Sequence, residues 1–114
     1  MNKNQSDSLN GEHSSRCHVQ EFDIGSKKMS LAVANIHGRY PEEGSVCNTA
    51  CEQIYHVVSG RATLHLEKGD FEIKKGDTHF FNKNETYWLE AKDLEVVITN
   101  TPAWNKKQYK NLKE

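Results

Sequence analysis

The spacing of turn signals is what most limits the folds open to this chain. Between Arg39 and Asp93, the stretches RYPEEG, SG, EKGD, KKGD, NKNE and AKD interrupt short segments rich in β-branched and aromatic residues. Such punctuation selects strands over helices, because alternating apolar and polar residues sort onto opposite faces of an extended chain. LHLEKGDFEI carries the pattern most clearly: Lys68 and Gly69 separate two alternating runs, and glycine supplies the positive φ of a tight hairpin. In IKKGDTHFF, Gly76 and Asp77 end the next run, with the aspartate placed to accept backbone N–H bonds across the turn. Strands are read over residues 19–24, 29–36, 45–49, 53–58, 62–67, 71–74, 78–81, 86–90 and 94–99. No stretch before Pro102 sustains helical periodicity, so the expected class is all-β, an antiparallel sandwich or barrel.

With 114 residues, the chain suffices for one hydrophobic core and is too short for two. A hydrophobic fraction of 35% and a mean hydropathy of −0.84 mean that apolar residues are used economically, as in a small shell with a polar exterior. The longest apolar runs, residues 31–34 and 96–98, fall far short of the roughly 20 residues of a membrane-crossing helix. The first residues carry no apolar signal core, so a cytoplasmic location and no membrane partner are expected. Fifteen basic and 16 acidic residues are interspersed for a net charge of −1, which argues against nucleic acid as a partner, since phosphate binding takes a clustered basic face. Residues 1–16, MNKNQSDSLNGEHSSR, are too polar to repay ordering and are expected to form a disordered, mobile arm. Residues 17–101 then make the single domain. Residues 102–114 form a tail or short helix, anchored through Trp104.

CNTACEQIYHVVSG, residues 47–60, gathers Cys47, Cys51 and His56 and raises the question of a metal or a disulfide. On one strand, Cys47 and Cys51 lie about 13 Å apart at ~3.3 Å per residue, and His56 points to the opposite face. That separation exceeds the roughly 7 Å between Cα atoms that a disulfide tolerates, and two such thiolates cannot share a zinc ion. With Cys17, the three cysteines make no disulfide framework and fit reduced thiols. Among the histidines, His79 is the exception, because it alternates with Phe81 onto a face that can be interior.

The same stretch carries a family resemblance. QIYHVVSG resembles the E-x-x-Y-V-x-x-G end of the first motif of the cupin superfamily, with Gln53 at the glutamate position and Gly60 as the closing glycine. Counting back with a three-residue spacer puts Cys47 and Thr49 where the family has two histidines; a four-residue spacer puts Val46 and Asn48 there. GDTHFFNKNETYW resembles the second motif, G-D-x-x-x-I-P-x-x-T-x-H, with Phe81 for the apolar residue, Asn82 for the proline and Tyr87 for the final histidine. The resemblance runs over residues 29–101 and implies a double-stranded β-helix, a small jelly-roll-like β-barrel. All four metal-ligand positions depart from the family pattern. Cys47, Thr49, Gln53 and Tyr87 make a hydrogen-bonding pocket rather than a converging ligand set, so no metal and no cofactor are expected.

The resemblance therefore implies a barrel that takes a small polar metabolite, of sugar or oxo-acid type, without the usual metal centre. Gln53, Tyr55 and Tyr87 are expected at its mouth, Cys47, Thr49 and His79 deeper, Phe81 and Trp88 as apolar wall, and Arg39 with Tyr40 as an anion clamp at the rim. An enzyme of isomerase, epimerase, lyase or dioxygenase type with an atypical or absent metal site is the alternative, with His79 and Tyr87 as the proton-transfer pair. A homodimer is expected by analogy with the fold.

Overall fold

A computed structural model of the protein describes residues 9–14 by their backbone and residues 16–112 in full. Strands dominate: β1 (Leu9–Ser14), β2 (Cys17–Phe22), β3 (Ser30–Tyr40), β4 (Ser45–Asn48), β5 (Glu52–Leu66), β6 (Gly69–Lys74), β7 (Thr78–Phe81), β8 (Tyr87–Thr101) and β9 (Tyr109–Leu112). All pair antiparallel, in the order β1-β2-β3-β8-β4-β9, with β5 bridging β8 to β6 and β7. The sheet curls into an all-β barrel. No helix among the described residues is long and apolar enough to cross a membrane.

Two turn signals act as bulges instead. Ser59-Gly60 and residues 91–93 do not end strands: β5 and β8 each run through as 15-residue strands that span the barrel, with register shifts where Ser59 meets Glu95. Gly60 at φ +76° and Asp93 at φ +48° absorb the extra residues, so both long strands bend without losing their pairing. Both ends of the chain also differ from the sequence reading. Leu9–Ser14, inside the polar arm, pairs with β2, so the described sheet begins at Leu9; residues 1–8 lie outside the described residues. Beyond Pro102 the described residues form a short helix of 3-10 type and then rejoin the sheet rather than running on as a tail. A 3-10 turn at Lys106–Gln108, capped by the Asn105 side chain, leads into β9, whose hydrogen-bonding partner is β4. Sheet pairing satisfies backbone groups that a polar tail would otherwise leave to water.

The interior has two unlike halves. Toward one end, Leu64, Leu89, Leu94, Val57 and Val96 are each at most 1% exposed, and Phe81 and Ile73 close the layer. Each such side chain contributes about 1.5–3 kcal/mol by burial. The other half is under-filled, because the inward positions of β2 and β3 carry small residues. Val19 faces Ala34, and Glu21 faces Ala32, across neighbouring strands. Ala32 in turn faces Ile98, and Ile98 faces Tyr55, so this row runs from a carboxylate over two small or medium aliphatic groups to a phenol. Methyl groups where a packed barrel would carry leucines leave space.

Candidate ligand-binding site

That space is a cavity of about 330 Å³, walled by β2, β3, β5 and β8 and roofed by the loop after β2 and the segment after Pro102. Tyr40, Tyr55, Tyr87 and Tyr109 line its depth and meet in two hydroxyl pairs, Tyr55 with Tyr87 at 2.7 Å and Tyr40 with Tyr109 at 2.6 Å. Phe81 supports the first pair from below: its ring stacks on Tyr87 at 4.3 Å and meets the edge of Tyr55 at 4.9 Å. Burial pushes Tyr40, Tyr55 and Tyr87 well above the ordinary phenol value, and the charge that a neighbouring tyrosine would carry raises each further. All three are therefore neutral hydroxyls across the physiological range. A pair of hydroxyls uses one proton between them. Tyr55 and Tyr87 have no other polar partner among the described residues, so the second proton of that pair can be donated into the cavity.

A chain of carboxamides forms the second polar element. Asn48 donates through Nδ2 to Gln53 Oε1 (3.3 Å), and Gln53 donates through Nε2 to Asn100 Oδ1 (2.9 Å). Asn48 Oδ1 also accepts from Trp104 Nε1–H (3.1 Å) and from Gln108 Nε2 (2.9 Å). Asn48, Gln53, Asn100 and Gln108 are all buried, and such groups are tolerated there because each amide finds partners. The chain fastens the segment after Pro102 over the cavity: Trp104 N–H donates to Ser30 Oγ, Ala103 N–H to Lys27 O, and Thr49 Oγ1 to Gln108 O. Trp104, expected as an anchor for the chain end, forms part of the cavity roof.

Of the residues nominated from sequence, Tyr40, Gln53, Tyr55 and Tyr87 come together on the cavity wall. Arg39, Cys47, Thr49, His79 and Phe81 do not line it. Arg39 donates to the Pro41 and Gly44 carbonyls and lies over the Trp88 ring at 4.1 Å, so it holds its own loop rather than clamping an anion. Trp88 is sandwiched outside, between Arg39 and the His65 ring, and is no part of the inner wall. Cys47 is buried away from the cavity, and Thr49 spends its hydroxyl on Gln108. The four-residue spacer therefore describes the register: Asn48, not Cys47 or Thr49, faces the cavity. Cys17, Glu21, Asn100 and Tyr109 also line it and escaped the reading, although the alternation of Cys17, Val19 and Glu21 on one strand face was there to be seen. Cys17 is a buried thiol whose pKa is pushed up to about 12 by burial, which makes it a neutral wall group rather than a nucleophile.

His79 continues the row beyond Tyr55, as its register partner on β7, and its ring meets Phe81 at 4.5 Å. Its Nε2 is buried without a hydrogen-bond partner among the described residues, and burial holds the imidazole pKa below the usual value. The unfolded chain then binds more protons than the native one between the depressed value and roughly 6.5, so stability rises with pH through that window. Wild type is expected to gain stability relative to His79→Phe between pH 5 and pH 7. Parallel urea melts of the two proteins at both pH values check this, and an unchanged difference would refute it.

The residues present do not fit the metal that a barrel of this kind often holds. Among the described residues, no three histidine, cysteine, aspartate or glutamate side chains converge. Gln53 is committed to Asn48 and Asn100, Tyr87 to Tyr55, and the cavity wall offers no imidazole.

No family model and no curated protein sequence matches the chain. Solved structures do. The nucleoside dehydratase Pac13 superposes with a TM-score of 0.88 at 14% identity, covering 99% of this chain and 91% of that one. A tyrosine-to-phenylalanine variant of Streptomyces PAC13 with uridine superposes with a TM-score of 0.86 at 16% identity, over 99% of this chain and 93% of that one. Ectoine synthase from P. lautus follows at 0.74 and 13% identity, over 98% and 89%. Oxalate decarboxylase from Bacillus subtilis gives 0.75 at 14% identity, where 95% of this chain matches 31% of that one. At such identities the likeness speaks for architecture alone, and the curled antiparallel barrel, its two bridging strands and its open end make this chain a protein of the cupin fold.

Proposed function

We propose that the protein binds an uncharged nucleoside-type metabolite in the barrel, through its tyrosine hydroxyls and carboxamides and without a metal. The observation that carries this reading is the lining of the cavity: four phenols and three carboxamides over a largely apolar wall, two carboxylates, Glu21 and Asp23, and no lysine, arginine or histidine. At about 330 Å³ it sits at the lower end of the roughly 300–1,000 Å³ of small-molecule sites. Amides and neutral phenols match the carbonyl, imide and hydroxyl groups of a nucleoside, which each need a donor or an acceptor and no counter-charge. An oxo-acid fits less well, since its carboxylate would meet no cation. The likeness to Pac13, and to a PAC13 variant with uridine, supports the choice of a nucleoside as the probe.

The Tyr55–Tyr87 pair favours a lyase as the second reading, because a neutral phenol whose proton its partner does not use can hydrogen-bond a leaving hydroxyl group and stabilise the charge that builds on it.

Uridine is expected to bind saturably at one site per chain by calorimetry and to change Trp104 emission. Tyr87→Phe, which keeps the ring and removes the hydroxyl, should weaken binding about tenfold, the effect of one hydrogen bond of ~1.4 kcal/mol. A calorimetric titration to millimolar uridine with no saturable heat would overturn the reading.

A further inference from the structure

We infer that Glu21 makes the cavity selective against anionic ligands and reads donor groups, such as a pair of sugar hydroxyls, at its mouth. This rests on the proposed site. On β2, Cys17, Val19 and Glu21 alternate onto the concave face, and Glu21 stands between Leu9 of β1 and Ala32 of β3, the latter offering only a methyl group. Its side chain is half-buried among apolar neighbours of the wall, yet it has no hydrogen-bond or ion-pair partner among the described residues. A carboxylate on an apolar wall is costly unless something donates to it. Two residues further on, Asp23 adds a second negative charge to the rim, although its Oδ1 already accepts from Gly25 N–H. The loop also carries Lys27 and Lys28, but neither lines the cavity, so among the described residues no cation on the wall offsets the two carboxylates.

The chemistry follows. A carboxylate has two acceptor oxygens and no donor, which suits two adjacent hydroxyls of a ribosyl or glycosyl ring. A phosphate or carboxylate on the ligand presents acceptors and like charge to Glu21, in a partly desolvated site where that repulsion is poorly screened. The site therefore takes nucleosides and excludes nucleotides.

Calorimetry with uridine and uridine 5′-monophosphate tests this on wild type and Glu21→Gln. Wild type should bind the nucleotide at least ~10-fold more weakly than the nucleoside, and the variant should narrow the ratio to within ~3-fold. Equal affinities in wild type, or an unchanged ratio in the variant, overturn the inference. Should uridine fail to bind at all, the proposed function falls, and the charge at the mouth is read independently by fluorescence quenching of Trp104 in a Trp88→Phe background. Iodide quenching relative to acrylamide should then rise about twofold in Glu21→Gln; a ratio that does not move refutes the role of Glu21.

Discussion

Gly60→Ala is expected to leave little folded protein, with a loss of ~4 kcal/mol or more against the 5–15 kcal/mol that holds a domain together. Two independent costs coincide at this residue. Its φ of +76° lies in the left-handed region, where an alanine costs about 1–2 kcal/mol. A Cβ there would also overlap the backbone carbonyl of Asp93 and crowd that of Lys92. Neither neighbour can swing aside, because both sit in the central strand β8, paired with β5 at the point where the register shifts. Gly25 separates the two costs: its φ is +70°, but nothing lies within 4 Å of its Cβ position. Gly25→Ala should lose only the conformational part, about 1–2 kcal/mol. Urea denaturation of both variants reads the difference, and equal losses would show that the contact with β8 does not matter.

Gly60 also marks how far the sequence leads. It was visible as the closing glycine of a motif, and the alternation before it placed Gln53 and Tyr55 inward, as the burial of both bears out. The same glycine looked like a turn, because composition alone does not separate a bend between two strands from a bulge within one. That distinction is made by β8, whose Asp93 bulges opposite, some thirty residues away in sequence. Local pattern fixes which face a side chain takes. It does not fix the neighbour that the face meets. Arg39 illustrates the limit: an arginine beside a turn reads as an anion clamp until Trp88 and two carbonyls are found to occupy it. Asn48 illustrates the opposite error. A one-residue difference in spacer length moved the nominated side chains onto the wrong face of β4, since a strand's period is two. The wall of the cavity owes most to Ala32 and Ala34, and small residues in a strand give no signal that they make room rather than merely pack.

The second large effect is expected at Asn48, the node where the cavity wall and its roof share one side chain. Asn48→Ala removes one donor and one acceptor, leaving Gln53 Oε1, Trp104 Nε1–H and Gln108 Nε2 without their partner. Gln53 and Gln108 are each 6% exposed, so water cannot readily replace what is lost. A buried polar group deprived of its partner costs about 1–3 kcal/mol, and with Gln53 and Gln108 both affected a loss of ~3 kcal/mol is expected. Function should fall further than stability. Trp104 would lose the only hydrogen bond of its indole among the described residues and keep its backbone N–H to Ser30 and its ring contact with Tyr109, so the roof loosens, its emission shifts to the red, and uridine binding is lost. Asn48→Asp keeps both the volume and the acceptor for Trp104 and Gln108, but offers nothing to Gln53 Oε1. Gln53 can then turn its amide toward the new carboxylate only by giving up Asn100. The aspartate variant should therefore retain the blue-shifted Trp104 emission while losing stability and affinity. If the alanine variant instead kept that emission, the roof would be fastened by the β4–β9 backbone pairing rather than by the Asn48 carboxamide.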